Sequence, residues 1–326
     1  MAPVKRKSTT AFLLALASSL ALAGAEADEP AAVPSAPVTD DPITEIVIRA
    51  PEPRYVAPTR RDQIGRIWAP VYINEQGPFR LVLDTGASAS SVTARVAAAL
   101  GLVPDTSSPV KLQGVTGSAT VPTIRVNSLR VGDLLVNDTK LPIIPDALGG
   151  AEGTLGNEGL VDRRVFIDFR HDLITITRSH GQRAAPGFMT IPFELQRGRL
   201  LIAQVLLGRV RAKAIIDTGS QATVANLALK DALLRGAMRE PYSIDNIEGV
   251  TNDVQYGQGG KPPPIEFGPI VIRAQHMTFL DSHIFKYWKL TGEPTVSIGM
   301  DALGLLDTLI IDFRLRELQL QMRPGS

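Results

Sequence analysis

Two aspartates stand where a carboxylate could do acid–base work. Asp84-Thr85-Gly86 and Asp217-Thr218-Gly219 each close an apolar run, Leu81-Val82-Leu83 in one case and Ala214-Ile215-Ile216 in the other. A strand that delivers an aspartate to its end and turns there on a glycine presents the carboxylate instead of burying it. The intervening threonine can hydrogen-bond across to a twin. If the two turns meet about a pseudo-twofold axis, the carboxylates come too close for both to ionise easily, and they share a proton. One then serves as general base towards a water while the other serves as general acid. A chance Asp-Thr-Gly arises at about 2 × 10⁻⁴ per position at ordinary residue usage, so a single copy would be weak evidence. Two copies at matching places in a repeat are strong.

The elements that must position the two turns repeat as well. Ile67 to Ile73 and Phe79 to Leu83 read as strands joined by turn residues Asn74 to Pro78, and they lead into Asp84. Leu200 to Leu207 and Val210 to Ile216, joined at Gly208-Arg209, lead into Asp217. A short helix is predicted after each turn, over Ser91 to Leu100 with Gly101 as its stop, and over Asn226 to Arg235 closed by Gly236. Gln113-Gly114-Val115-Thr116-Gly117 then matches Glu248-Gly249-Val250-Thr251-Asn252. Thr154-Leu155-Gly156 precedes Ile167-Asp168-Phe169-Arg170, as Ser297-Ile298-Gly299 precedes Ile311-Asp312-Phe313-Arg314. Each of these last tetrapeptides opens a hairpin, completed by Leu173 to Thr177 or Glu317 to Gln321. The expectation is an all-β fold with few short helices, built as two duplicated lobes over residues 62–180 and 188–324 with 181–187 as connector.

In these motifs the chain resembles an aspartic peptidase of the retropepsin-like and pepsin-like superfamily, in particular a bacterial exported aspartyl protease with both lobes on one chain. The resemblance runs from about Ile67 to Gln321 and rests on the two Asp-Thr-Gly turns and the two apolar-apolar-Gly strands. It implies a bilobal fold of two barrel-like lobes, with the active site between them. It implies a nucleophilic water held by Asp84 and Asp217, no metal and no cofactor, and a polypeptide substrate. Thr85 and Thr218 would brace the turns, with Gly86, Gly219 and Ser220 supporting them. The shared-proton behaviour invoked above is that of aspartic proteases themselves. Ala87 is retroviral in character and Ser220 pepsin-like. The Ser220 hydroxyl is expected to donate to Asp217 and so to make the pair unequal. Gly114, Val115, Thr116 and Gly117, with Gly249, Val250 and Thr251, are expected to form two flaps over the substrate, without the flap tyrosine typical of pepsins.

The remaining residues narrow the choices. Zero cysteines exclude disulfides, thiol catalysis and Cys-based metal sites. The formal net charge of +1 argues against a nucleic-acid binder. The four histidines, at 171, 180, 276 and 283, form no HxxxH pair and are expected on surfaces or in loops. Asp168 and Asp312 repeat too, but the alternation turns them away from the apolar face, towards solvent or turn bonding. Lys5, Arg6 and Lys7 before an apolar run to Ala25, with an Ala25-Glu26-Ala27 cleavage site, read as a signal peptide over residues 1–27. That apolar run is short of the ~20 residues needed to span a bilayer. The expectation is a periplasmic or secreted protein, monomeric, with no stable membrane insertion after processing. Seven prolines between residues 28 and 60 suggest a linker over 28–61, or a pro-segment covering a cleft. Two other functions stay open at this stage. One is a catalytically silent peptide-binding module of the same fold. The other is glycoside hydrolysis, which also uses two carboxylates but holds them ~5–9.5 Å apart.

Overall fold

The computed structural model describes residues 67–323, except 147, 172, 197–199, 237 and 252, together with the backbone of a short strand at Val47–Arg49. The expected signal peptide and, apart from that strand, the proline-rich segment lie outside the described residues, as does Asn252. Residues Thr44–Ser326 form one compact unit, within which the chain is all-β and bilobal.

In the first lobe six strands close into a barrel. Their order is Trp68–Ile73, Gln76–Leu83, Gly153–Leu155, Ser91–Thr93, Leu134–Ile144 and Ser118–Val131, and Tyr72 and Ile73 pair with Arg130 and Leu129 to complete the ring. Alternation puts Val71, Ile73, Leu81, Val126, Leu129 and Leu141 inside, each at most 1% exposed. Asp105–Gln113 adds a seventh strand outside Ser118–Val131.

The second lobe repeats the same neighbour order: Leu200–Leu207, Val210–Ile216, Thr295–Ile298, Val224–Ala225, Met277–Phe279, Val254–Gly260 and Ser243–Glu248. One difference has a plain cause. The long strand Ser118–Val131 has two short counterparts, Val254–Gly260 and Ile265–Phe267, because Pro262, Pro263 and Pro264 lack the N–H groups a ladder needs. Ile265 still pairs with Leu207, which closes this lobe in the same sense.

The predicted helices are shorter than the sequence suggested. Ser91–Thr93 is a strand and only Ala94–Ala99 is helical, because Ser91 and Val92 are held in extended form between Gly153–Thr154 and Ile143. In the second lobe the helix spans Leu227–Leu234, with the Asn226 side chain accepting from the Leu229 N–H at 2.9 Å as its cap.

The two Ile-Asp-Phe-Arg hairpins do not stay in separate lobes. Arg163–Asp168 pairs antiparallel with Leu306–Asp312, so that Leu173–Arg178, Arg163–Asp168, Leu306–Asp312, Glu317–Met322 and Met189–Gln196 make one continuous sheet beneath both lobes. This sheet overturns half of the expectation for the second aspartate pair. Asp168 accepts from the N–H groups of Arg170 and His171, as a turn residue should. Asp312 also accepts from its turn, at Leu315, but it is fully buried: Arg164 from the first lobe donates to it at 3.3 Å and Ser179 at 2.8 Å. A strand from the other lobe covers it, and no local alternation encodes that.

Candidate active site

Each aspartate leaves its strand at the same height over a backing strand. The Asp84 N–H donates to the Leu155 carbonyl at 2.9 Å, and the Asp217 N–H donates to the Ile298 carbonyl at 3.1 Å. The strands ahead of them run parallel to Gly153–Leu155 and Thr295–Ile298. Within each turn the chain fixes its own carboxylate. Gly86 N–H donates to Asp84 Oδ1 at 2.9 Å, and the N–H groups of Gly219 and Ser220 donate to Asp217 Oδ1, both at 3.1 Å. The glycines are required by close approach. A Cβ at Gly86 would lie 2.9 Å from the carboxyl carbon of Asp217, and one at Gly219 would overlap the carboxyl of Asp84. Each carboxylate therefore rests against the opposite turn.

Thr85 and Thr218 lock this arrangement. Both are buried, and each backbone N–H donates to the hydroxyl of the other at 3.1 Å. Each hydroxyl also reaches the opposite strand, Thr85 donating to the Ile216 carbonyl at 2.6 Å and Thr218 to the Leu83 carbonyl at 2.7 Å.

A second repeated bracket stands behind the turns, and sequence reasoning missed it. Ser90 N–H donates to Glu158 at 2.6 Å while the Ser90 hydroxyl accepts from Gly156 N–H. Thr223 N–H and hydroxyl donate to Asp301 at 2.9 and 2.6 Å, and that hydroxyl accepts from Gly299 N–H. Burial raises the Asp301 carboxyl above its ordinary value, against the pull of the Thr223 hydrogen bonds. The signal was present, since Ser90 and Thr223 follow their aspartates at one offset and Glu158 and Asp301 follow the backing glycines at another.

One expectation needs correction. The Ser220 hydroxyl does not donate to Asp217; it turns back to the Ala222 carbonyl at 2.9 Å, because the tight turn brings that acceptor within reach. The hydroxyl on Asp217 is that of Ser297, 3.2 Å from Oδ2.

The predicted flap residues form two hairpin tips that meet. Gly114 to Gly117 link Asp105–Gln113 to Ser118–Val131, with Gly114 N–H donating to the Gly117 carbonyl at 2.8 Å. Gly249, Val250 and Thr251 lie between Ser243–Glu248 and Val254–Gly260. A Cβ at Gly114 would lie 3.1 Å from Thr251 Cγ2, and one at Gly249 would lie 3.3 Å from Thr116 N. Each tip also reaches the other lobe. Val250 packs against the cluster formed by Trp68, Val82, Ile144, Leu148 and Ala151, and the Val115 carbonyl accepts from the Ile284 N–H at 3.3 Å. His283 Nε2 lies 2.8 Å from Gln113 Oε1, so one histidine expected on the surface joins the two lobes. The hydroxyls of Thr116 and Thr251 are buried there without a hydrogen-bond partner.

The second hairpin is fastened at its root. Asp245 on its edge strand meets His276 at 2.5 Å and Thr278 at 2.7 Å across Gly259, where any side chain would overlap the Asp245 carboxylate. Burial works to raise the Asp245 carboxyl, but the hydrogen bonds from His276, Thr278 and Ser243 and the His276 charge outweigh it and hold the group below its ordinary value. Among the described residues no cluster of three or more His, Asp or Glu could hold a metal, and no helix is long and apolar enough to cross a membrane.

With this geometry in view, the likeness to known proteins is partial in sequence. Residues 69–158 match the aspartyl protease family, a stretch that holds the first Asp-Thr-Gly turn and its backing strand but not the second. No curated protein matches the chain. Similar solved structures include the following two. Basic 7S globulin from soybean is 8% identical with a TM-score of 0.48, over 87% of this chain and 98% of the globulin. A retropepsin-like aspartic protease from Rickettsia conorii is 20% identical with a TM-score of 0.29, over 42% of this chain and 92% of the protease. The all-β, bilobal architecture fits an aspartic protease fold.

Proposed function

We propose that the chain is an aspartic endopeptidase. The observation that carries this reading is the reciprocal placement of the carboxylates, Asp217 against Gly86 and Asp84 against Gly219, under the Thr85–Thr218 lock. Two carboxylates so placed share one proton at working pH. The ionised one takes a proton from a water as it attacks the peptide carbonyl, forming a tetrahedral diol; the protonated one gives its proton to the carbonyl oxygen. Proton return to the amine nitrogen then breaks the C–N bond, and no covalent enzyme intermediate forms. A shared proton is incompatible with the wider carboxylate spacing of glycosidases.

The substrate lies extended under the flaps as an added strand. Thr116 and Thr251 support this placement, because a buried hydroxyl without a partner is costly and a peptide backbone would supply one. Each lobe gives one aspartate, one flap and one backing strand, so a single chain suffices and the enzyme is monomeric. The basic n-region and apolar run before Ala27 make it an exported, periplasmic or secreted protein, which N-terminal sequencing of the mature form would check.

The test of the activity is mass-spectrometric mapping of new peptide termini in a denatured proteome, with the Asp84→Asn protein as blank. Cuts made by the native chain and missing from the blank are expected. Identical digests, or peptides bound but never cut, would replace the enzyme by a binding module.

A further inference from the structure

The repeat relates Ser91 to Val224, at one offset from the aspartates of their turns, and Thr154 to Ser297, at one offset before the backing glycines Gly156 and Gly299. Both backing residues carry a hydroxyl, and the two hydroxyls face different partners. In the first lobe Ser91 and Thr154 sit opposite each other in the ladder, and their hydroxyls lie 2.8 Å apart, both buried. In the second lobe Val224 occupies the position opposite Ser297 and offers no hydroxyl. Ser297, 8% exposed, instead points its hydroxyl at Asp217 Oδ2, 3.2 Å away. With Gly219 and Ser220 on Oδ1, three donors converge on this carboxylate.

We propose that Ser297 is a positioning residue whose hydroxyl favours the charged form of the Asp217 carboxylate. The inference rests on the peptidase reading above, in which a charged Asp217 can serve as the base. The physical step is short. A hydroxyl has one proton to give, and giving it to a carboxylate oxygen favours the charged form. The matching hydroxyl of Thr154 lies 2.8 Å from that of Ser91, and either of the two can be the donor. Asp84 faces Asp217 from the opposite turn, and the Asp301 carboxylate on the short helix after the backing strand is taken up by Thr223. A single Ser-for-Val difference at the neighbouring ladder position thus releases a side chain to act on the site.

The experiment compares the pH profile of kcat/KM for native protein, Ser297→Ala, Ser297→Thr and Ser220→Ala. Removing the Ser297 hydroxyl should move the acidic limb upward by about one pH unit, the size expected of one hydrogen bond to a charged group. Ser297→Thr keeps a hydroxyl and should bring the limb back. Ser220→Ala should leave it in place, since that hydroxyl serves a backbone carbonyl. A limb unmoved in Ser297→Ala, or a uniform loss at every pH, would reduce Ser297 to a packing residue and overturn the inference. Carbon-13 carboxyl NMR titration of the full chain, assigned with Asp217→Asn, gives the answer without turnover. The lower apparent midpoint of the pair should rise in Ser297→Ala and recover in Ser297→Thr. A protein that cuts nothing yet shows that rise loses the peptidase reading and keeps the inference, whereas an unchanged midpoint ends it.

Discussion

Thr85 and Thr218 exchange equivalent hydrogen bonds across the lobes, each N–H donating to the other's hydroxyl at 3.1 Å. Neither half of this exchange is satisfied alone. Thr85→Val and Thr218→Val should each destabilise the chain by about 1–3 kcal/mol, because each leaves buried donors or acceptors unpaired. The double variant should cost less than the sum of the two. Urea midpoints of the four proteins measure this, and strict additivity would count against a shared lock.

Loss of either carboxylate should remove turnover while leaving the fold. Asp84→Asn and Asp217→Asn are expected to fall by at least about 10²-fold in kcat with little change in melting temperature. Mixing Asp84→Ala with Asp217→Ala protein should restore nothing, since each chain already holds its own two lobes together through the sheet beneath them. Recovered activity on mixing would mean that lobes pair between chains.

The flap hydroxyls carry opposite consequences for stability and binding. Thr116→Val and Thr251→Val replace buried, unpartnered hydroxyls by methyl groups, so the free protein should gain up to about 1 kcal/mol each. If substrate uses those hydroxyls, KM should rise several-fold in the same variants. A stability gain with KM unchanged would remove the two threonines from the binding surface.

The clasp at the root of the second hairpin should show in the acid range. Asp245 is held below the ordinary carboxylate value, so its contribution to stability is complete above the unfolded value of about 4 and disappears as pH falls through the lower folded value. Asp245→Asn should therefore be less stable than the native chain at neutral pH, and the gap should close in strong acid. Chemical denaturation at pH 2, 4 and 7 would follow it; a gap independent of pH would mean that the charge contributes nothing.

Much of the molecule was legible in the sequence for a simple reason. The Asp-Thr-Gly turns, their hairpins and the backing strands are set by local alternation and by repetition, and both are visible in one dimension. What escaped depends on contacts between distant segments. Asp312 looked outward by alternation, yet Arg164 from the other lobe buries it. The Ser220 hydroxyl was aimed at Asp217 by nearness in sequence, whereas the donor is Ser297, eighty residues further along. His283 gave no sign of joining Gln113, because His283 lies outside the repeated motifs and the two residues are distant in sequence. The split of the long second-lobe strand could have been read directly, since three successive prolines cannot sit in a ladder.

The sheet beneath the lobes pairs Asp312 with Arg164 on one side of its axis and Asp168 with Thr308 on the other, with Phe166 facing Ile310 between them. In an assembly of two identical subunits each of these pairings would have to occur twice. An arginine introduced at one site would appear at its mirror, and two buried charges would need partners instead of one. Joining the halves in one polypeptide lifts that constraint. Each side of the junction can change without its image, and the same freedom lets Val224 stand where Ser91 stands in the other half.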